Sequence, residues 1–205
     1  MRLPLRSALV VLLSIPLLLL GQESQPPAKH GPFGFERGMT VEQIVKLVGQ
    51  DSIKKREDDR VILTTAPSPH PDFELYIVTV SPDAGLLKLS AVSKDITTSA
   101  YGDGVRSKFS EIQEAVSNTY GKGKSYDFLR AKSIWNEPNE WMMGLLKEER
   151  TLAAIWEFEK SDKLITAILL EAVASGTEKG YLRLGYEFDG FSKYMEEKKK
   201  KKSVF

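Results

Sequence analysis

The side chains of this sequence that could do acid–base chemistry are its carboxylates, and they carry no catalytic signature. The chain has 28 acidic residues, so carboxylate pairs arise by chance, whereas glycosidic chemistry needs two of them at a defined separation. The sequence ranks none of the candidates above the others: Glu148, Glu149, Glu157, Glu171 and Glu187. A Gly-x-Ser-x-Gly nucleophile motif is also absent. We expect no catalytic residue, and a hydrolase that uses unrecognised carboxylates is the alternative.

The sequence offers few side chains that could bind a metal or a cofactor. There is no cysteine, which excludes a thiol nucleophile, a thiolate metal site and lipid attachment to an N-terminal cysteine. The two histidines are His30 and His70, and a pair such as His70 and Asp72 falls short of the three or four ligands that a metal site needs. Gly102-Asp103-Gly104 lacks the phosphate-binding fingerprint, and its carboxylate would repel phosphate. We therefore expect no metal and no cofactor.

A protein partner could instead bind the exposed face of the sheet together with the predicted connector over residues 135–146. Trp135, Trp141 and Met142 lie in a long predicted connector, where loops often carry function, and aromatic residues are enriched at interaction hot spots. Trp141 and Met142 are the better surface candidates. For Trp156 and Tyr186, which fall in predicted strands, we favour a place in the core.

The C-terminal lysines are candidates for contact with an anionic surface. They are Lys198, Lys199, Lys200, Lys201 and Lys202, and such runs attract anionic lipid headgroups. The alternative, a solvated tail, is common for blocks of like charge. Without Arg2, Arg6 and the residues from Lys193 onward, 26 acidic residues remain against 21 basic ones. A mildly acidic body does not attract nucleic acid, so we expect no nucleic-acid partner.

The element that should position the first half is a short helix in residues 38–49. Thr40 and Gln43 have the spacing of a capping box, and Met39 and Ile44 that of a hydrophobic staple. The apolar residues recur at helical spacing, and Gly49 supplies the left-handed residue that ends a helix.

A second helix is predicted over residues 104–120, with Asp103 as its cap and Gly121 at its end. One face of it is apolar: Val105, Phe109, Ile112, Val116 and Tyr120. A helical turn is predicted within 125–133, and a short helix around Trp141 after Pro138. Residues 51–60 are interpreted as a connector.

Strands with turn chemistry follow each of the two helices. The hairpins are predicted over 73–80 with 86–92 and over 152–158 with 164–173, and further strands over 61–65 and 181–188. Strands joined by such short turns pair antiparallel, so the sequence predicts an α+β fold. We interpret it as tandem helix-plus-antiparallel-hairpin repeats, with the helices packed on one face of the sheet.

The N-terminal residues predict that the protein is exported. Arg2 and Arg6 precede an apolar run from 8 to 20, which is shorter than the ~20 residues of a membrane span and is typical of a secretory signal peptide. We expect a signal peptide over 1–21, a flexible leader over 22–32, a first repeat over 33–100, a second over 101–190 and a basic tail over 191–205. The alternative to a cleaved signal peptide is an uncleaved N-terminus that acts as an anchor and, with the Lys tail, holds the protein at a membrane surface.

One motif resembles a known family. Residues 38–49, Gly-Met-Thr-x-x-Gln-Ile-x-x-x-Val-Gly, resemble the helix opening in the small lipoprotein of the bacterial β-barrel assembly machinery. The tandem helix-then-hairpin layout is similar to that of β-lactamase inhibitor protein and related exported modules. The acylated cysteine of the lipoprotein and the disulfides common in the inhibitors are missing here. The resemblance implies an exported, periplasmic or secreted, non-catalytic module that binds another envelope or secreted protein, and it names no functional residue.

Overall fold

A computed structural model describes residues 31–159 and 164–202. The described residues exclude the predicted signal peptide, residues 22–30 of the predicted leader, residues 160–163 of a predicted turn and residues 203–205 of the predicted tail. The described elements in chain order are α1 Val41–Val48, β1 Ile53–Glu57, β2 Arg60–Leu63, β3 Phe73–Ser81, β4 Gly85–Ser93, β5 Ile96–Thr97, α2 Asp103–Tyr120, β6 Lys124–Leu129, α3 Trp141–Leu146, β7 Arg150–Glu157, β8 Ile165–Gly176, β9 Lys179–Phe188 and α4 Phe191–Lys202.

The strands form one antiparallel sheet, which confirms the predicted α+β class. Their order is β1-β2-β3-β4-β9-β8-β7-β6, and the short β5 also pairs with β9. Each half of the chain supplies a helix and four strands that neighbour one another in chain order, but the second half inserts α3 between β6 and β7. Strands β4 and β9 pair at the centre, with Leu89 opposite Tyr186. The sheet therefore ends at β1 on one edge and at β6 on the other.

Helix α1 has the predicted ends. The Gln43 N–H donates to the Thr40 hydroxyl at 3.3 Å, and the Thr40 N–H donates to the Gln43 side-chain oxygen at 2.9 Å. These two bonds satisfy donors that a helix start otherwise leaves unpaired. Gly49 ends the helix with a φ of 86°. Ile44 is fully buried, so the helix is tied to the sheet through its apolar side.

Helix α2 has the predicted length and apolar face, but its start differs. Asp103 is the first helical residue, and its carboxylate accepts from the Ser99 N–H and hydroxyl in the preceding turn. The capping residue is Gly102, which has a φ of 73° and no side chain to offer. The Thr98 hydroxyl serves the helix start instead, accepting from the Gly104 N–H at 2.9 Å.

The core lies between the sheet and the helices α1, α2 and α3. The inward residues of the central strands are buried there with one face of α2: Tyr76, Val78, Leu89, Ala91, Phe109, Ile112, Val116, Ile168, Leu170, Leu182 and Leu184. Helix α4 does not share this position, since Phe191 and Met195 line the opposite face of the sheet. No helix in 31–159 or 164–202 is long and apolar enough to cross a bilayer.

Two predictions about connectors are wrong, and both concern edge strands. Residues 53–57 form β1 rather than a connector, and residues 124–129 form β6 rather than a helical turn. Four of the five β1 residues and five of the six β6 residues are exposed. An edge strand with both faces partly solvated lacks the alternation of apolar and polar residues that reveals a half-buried strand.

Candidate binding surface on the open sheet face

The sheet face away from α1, α2 and α3, here called the open face, carries the alternate residues of the same strands. Because antiparallel partners point to the same side, the register arranges these residues in three rows across the sheet. The central row is Ile62, Ile77, Ser90, Gly185, Leu169, Ile155 and Lys124. The rows beside it are Arg60, Thr79, Lys88, Glu187, Ala167 and Glu157 on one side, and Leu75, Val92, Arg183, Glu171, Ala153 and Tyr126 on the other.

The central row is mostly apolar although no described helix covers it. Ile77, Leu169 and Ile155 are each half-buried, whereas an outward sheet position is usually polar. Gly185 sits in the middle of the row and leaves space above its backbone. A Cβ added at Gly185 would meet only ordinary contacts, the nearest being the Ser90 hydroxyl at 3.6 Å. A depression of about 660 Å³ lies over this part of the sheet.

Four of the charged residues beside the central row form two ion pairs across strands. Lys88 Nζ lies 2.8 Å from Glu187 Oε1, and Arg183 Nε lies 2.6 Å from Glu171 Oε1. Both pairs are neighbours in strand register, so sheet pairing brings them together. Each pair is neutral as a unit, so these four positions present side-chain dipoles rather than a net charge.

Helix α4 forms one end of the depression. Phe191 lies under the Lys88 ammonium, 4.9 Å from ring centre to nitrogen. Asp59, in the turn between β1 and β2, accepts from the Tyr194 hydroxyl at 2.8 Å and from Lys198 Nζ at 2.7 Å. The half-buried residues of α4, which face this side, recur at helical spacing: Phe191, Tyr194, Met195 and Lys198.

The electrostatics of the Asp59 contact favour the charged carboxylate. Burial alone would raise the pKa of Asp59, but the hydrogen bonds from Lys198 and Tyr194 outweigh it and hold the pKa below its ordinary value. Burial, with the Asp59 carboxylate alongside, raises the pKa of Tyr194 to about 12. Tyr194 therefore remains a hydrogen-bond donor at neutral pH, and Asp59 anchors α4 to the end of the sheet.

The residues predicted to bind a partner do not form this surface. Trp141 and Met142 are 5% and 0% exposed, so the prediction that they lie on the surface is wrong. The Trp141 ring lies against Gly102, where a Cβ would overlap it, and the absence of a side chain at Gly102 is what admits the ring. Trp135 is half-buried, and it does not line the depression.

The C-terminal lysines also differ from one another in their environment. Lys198 turns inward to Asp59, so it does not face an external surface as predicted. Lys199, Lys200 and Lys201 are exposed on α4, and the Lys202 side chain lies outside the described residues. Glu196 and Glu197 are exposed on the same helix, which dilutes the positive charge of its outer side.

The other candidate residues fall in separate places. Glu157, Glu171 and Glu187 lie on the open face, each beside a cation, and Glu148 and Glu149 follow α3. His70 Nδ1 accepts from the Asp72 N–H at 3.2 Å in a local turn. In the part of the chain that the structure describes, no group of three His, Asp or Glu side chains could hold a metal ion.

The sequence pointed to an exposed sheet face as part of the binding surface, but it did not single out the apolar residues that make the open face. Their signal was present as apolar residues at the outward positions of predicted strands, such as Ile77 and Leu169. Identifying them required the strand order, which decides which rows meet. Scans of family models and searches of curated proteins and of solved structures returned no match to this chain.

Proposed function

We propose that this protein is an exported, non-catalytic module of the cell envelope that binds another protein with the open face of its sheet. The observation that carries the proposal is the central row, where half-buried Ile77, Leu169 and Ile155 surround the gap above Gly185. Exposed apolar surface rimmed by polar residues is typical of protein interaction sites. The flanking ion pairs are already neutralised within the sheet, so a partner can cover them without leaving a lone buried charge.

Export rests on the sequence. The pattern of Arg2 and Arg6 before a short apolar run supports a signal peptide over residues 1–21. The likeness of residues 38–49 and of the layout to small exported modules supports the same assignment. The partner would be an envelope or secreted protein with an apolar protrusion that enters the depression.

The test is capture of partners by the purified chain from envelope extracts of the source organism, with a variant that blocks the open face. Leu169→Glu places an unpaired charge at the centre of the central row. We expect it to abolish capture of a specific partner, because burying a charge without a counter-ion is costly. The captured protein is then purified and its binding to wild type and variant is measured by calorimetry.

The matched control is Leu47→Glu, which adds the same charge at an exposed position of α1, 52% accessible and away from the open face. It should bind as wild type does. If every captured protein binds the two variants and wild type with equal affinity, the open face is not the binding surface. Circular dichroism of both variants checks that each remains folded.

We also propose that the two halves, residues 33–100 and 101–190, are repeats of one unit. Support comes from the four neighbouring strands that follow the first helix of each half, β1–β4 after α1 and β6–β9 after α2, although α3 is inserted in the second half alone. Arg37 Nε donates to the Asp189 carbonyl at 3.0 Å, so the ends of the two-unit body are adjacent. A permuted chain in which 101–190 precedes 33–100 should therefore fold with the wild-type circular dichroism spectrum; an unfolded permutant would contradict two interchangeable units.

A further inference from the structure

The two edges of the sheet differ in how they are protected against pairing with another strand. Edge strand β1 carries Lys54, Lys55, Arg56 and Glu57, and its register is interrupted between Ile53 and Lys55. Charged side chains and bulges are the usual devices that keep an edge unpaired. Strand β6 has a regular register with β7 and exposes two aromatic residues on the open face, Tyr126 and Phe128.

The outer side of β6 is available for pairing. Among the described strands, β6 pairs with β7 alone. In an antiparallel ladder alternate residues direct their N–H and C=O groups away from the partner strand, so about half of the backbone groups of β6 point outward. Phe128 is 54% exposed and Tyr126 39% exposed. An edge with unpaired backbone and exposed aromatic rings is suited to addition of a strand.

We propose that β6 pairs with β6 of a second copy of this chain, about a two-fold axis through Tyr126, to form one continuous sheet. A two-fold axis perpendicular to the sheet keeps both open faces on the same side, and it pairs residues of like orientation. Tyr126 then lies opposite Tyr126 of the second copy, and Lys124 lies opposite Phe128. An aromatic pair and a cation over an aromatic ring are both stabilising.

The charges of β6 favour pairing about an axis through Tyr126 over pairing about an axis through the next residue, Asp127. Within β6, an axis through Asp127 would place Asp127 opposite itself, and like charges directly opposite are destabilising. With the axis at Tyr126, Asp127 lies opposite Ser125. The Ser125 hydroxyl accepts from Gln113 Nε2 at 2.6 Å, so its hydrogen is available to the carboxylate of Asp127. Arg150 lies 3.0 Å from one oxygen of that carboxylate, which leaves the other oxygen to accept.

The first experiment compares self-association of wild type and two matched variants by sedimentation velocity over a range of concentrations. Phe128→Lys and Leu47→Lys change side chains of nearly equal exposure, 54% and 52%, and only the first lies on β6. We expect wild type and Leu47→Lys to dimerise alike and Phe128→Lys to raise the dissociation constant about tenfold or more, because a Lys would face Lys124 of the second copy. A wild-type chain that remains monomeric at about 1 mM, or a Phe128→Lys chain that dimerises as wild type, overturns the proposal.

The second experiment uses the absence of cysteine in the chain to locate the axis. A residue on the axis faces its own copy at the Cα distance of a strand pair, which a disulfide can span. Tyr126→Cys should therefore form a covalent dimer on mild oxidation faster than Asp127→Cys and faster than Leu47→Cys. Faster cross-linking at Asp127→Cys would refute the Tyr126 axis, and equal rates at all three positions would show random collision and refute pairing through β6.

Discussion

The two faces of the sheet are built from alternating residues of the same strands, and they differ in how deeply they bury apolar side chains. On the helix-covered face, Trp156, Ile168 and Leu184 are at most 3% exposed. On the open face, Ile155 and Leu169 remain half-buried beneath no described helix. The covered face is held by packing, whereas the apolar row of the open face stays in contact with water. Folding alone does not explain that row, which is why we propose it as the binding surface.

The largest expected difference between the faces is at the adjacent residues Trp156 and Ile155. Trp156 is 3% exposed and its Nε1 donates to the Gly121 carbonyl at 2.7 Å. Trp156→Ala should lower the free energy of unfolding by about 3–5 kcal/mol through the cavity it leaves. Ile155→Ala should cost about 1 kcal/mol, since the side chain is only half removed from water. Urea denaturation followed by circular dichroism measures both, and equal losses would contradict the comparison.

Two glycines give the next largest contrast. Gly102 has a positive φ and faces the Trp141 ring, so Gly102→Ala should destabilise the fold by at least about 2 kcal/mol. Gly185 lies in the open face with room for a Cβ, and Gly185→Ala should leave stability unchanged or raise it by about 0.5–1 kcal/mol. The alanine would also fill the floor of the depression, so partner binding should weaken while stability does not. Thermal unfolding and binding measured on the same samples separate the two effects.

Docking of α4 through Asp59 should weaken at low pH. Because the pKa of Asp59 is lowered in the folded state, its contribution is complete above the ordinary aspartate pKa of about 4 and is lost as pH falls through the folded value. Asp59→Asn should weaken docking of α4 by roughly 1.5 kcal/mol at neutral pH, since two hydrogen bonds lose a charged acceptor. Hydrogen exchange of the α4 amides reports the docking. Exchange that accelerates equally in acid for wild type and variant would assign the effect to another group.

The smallest effect is expected at the ion pairs beside the central row. Glu171→Gln should change the free energy of unfolding by less than about 1 kcal/mol, because the paired Arg183 is about half exposed and solvent screens it. The same substitution should weaken partner binding more than it weakens folding, since it leaves Arg183 without a counter-ion when covered. A loss of stability above that of Gly102→Ala would show that the pair supports the fold.

The sequence was sufficient where local signals and tertiary context agree. The capping box at Thr40 and Gln43, the apolar face of α2 and the strand pairs β3–β4 and β7–β8 were all predicted, because their spacing and turn residues specify them locally. The sequence also indicated correctly that Trp156 and Tyr186 are core residues, which are 3% and 5% exposed. The strand order was not predictable, because pairing of β4 with β9 joins residues that are far apart in the chain.

The sequence by itself therefore determined the helices, the hairpins and the α+β class, since these follow from periodicity and from capping within a few residues. Tertiary structure decided which strands became edges, that Trp141 turned inward over Gly102, and that Lys198 joined Asp59. It also decided which apolar rows met on the open face. These outcomes depend on contacts between distant segments, where burial and charge pairing are settled by the neighbours that folding supplies rather than by local spacing.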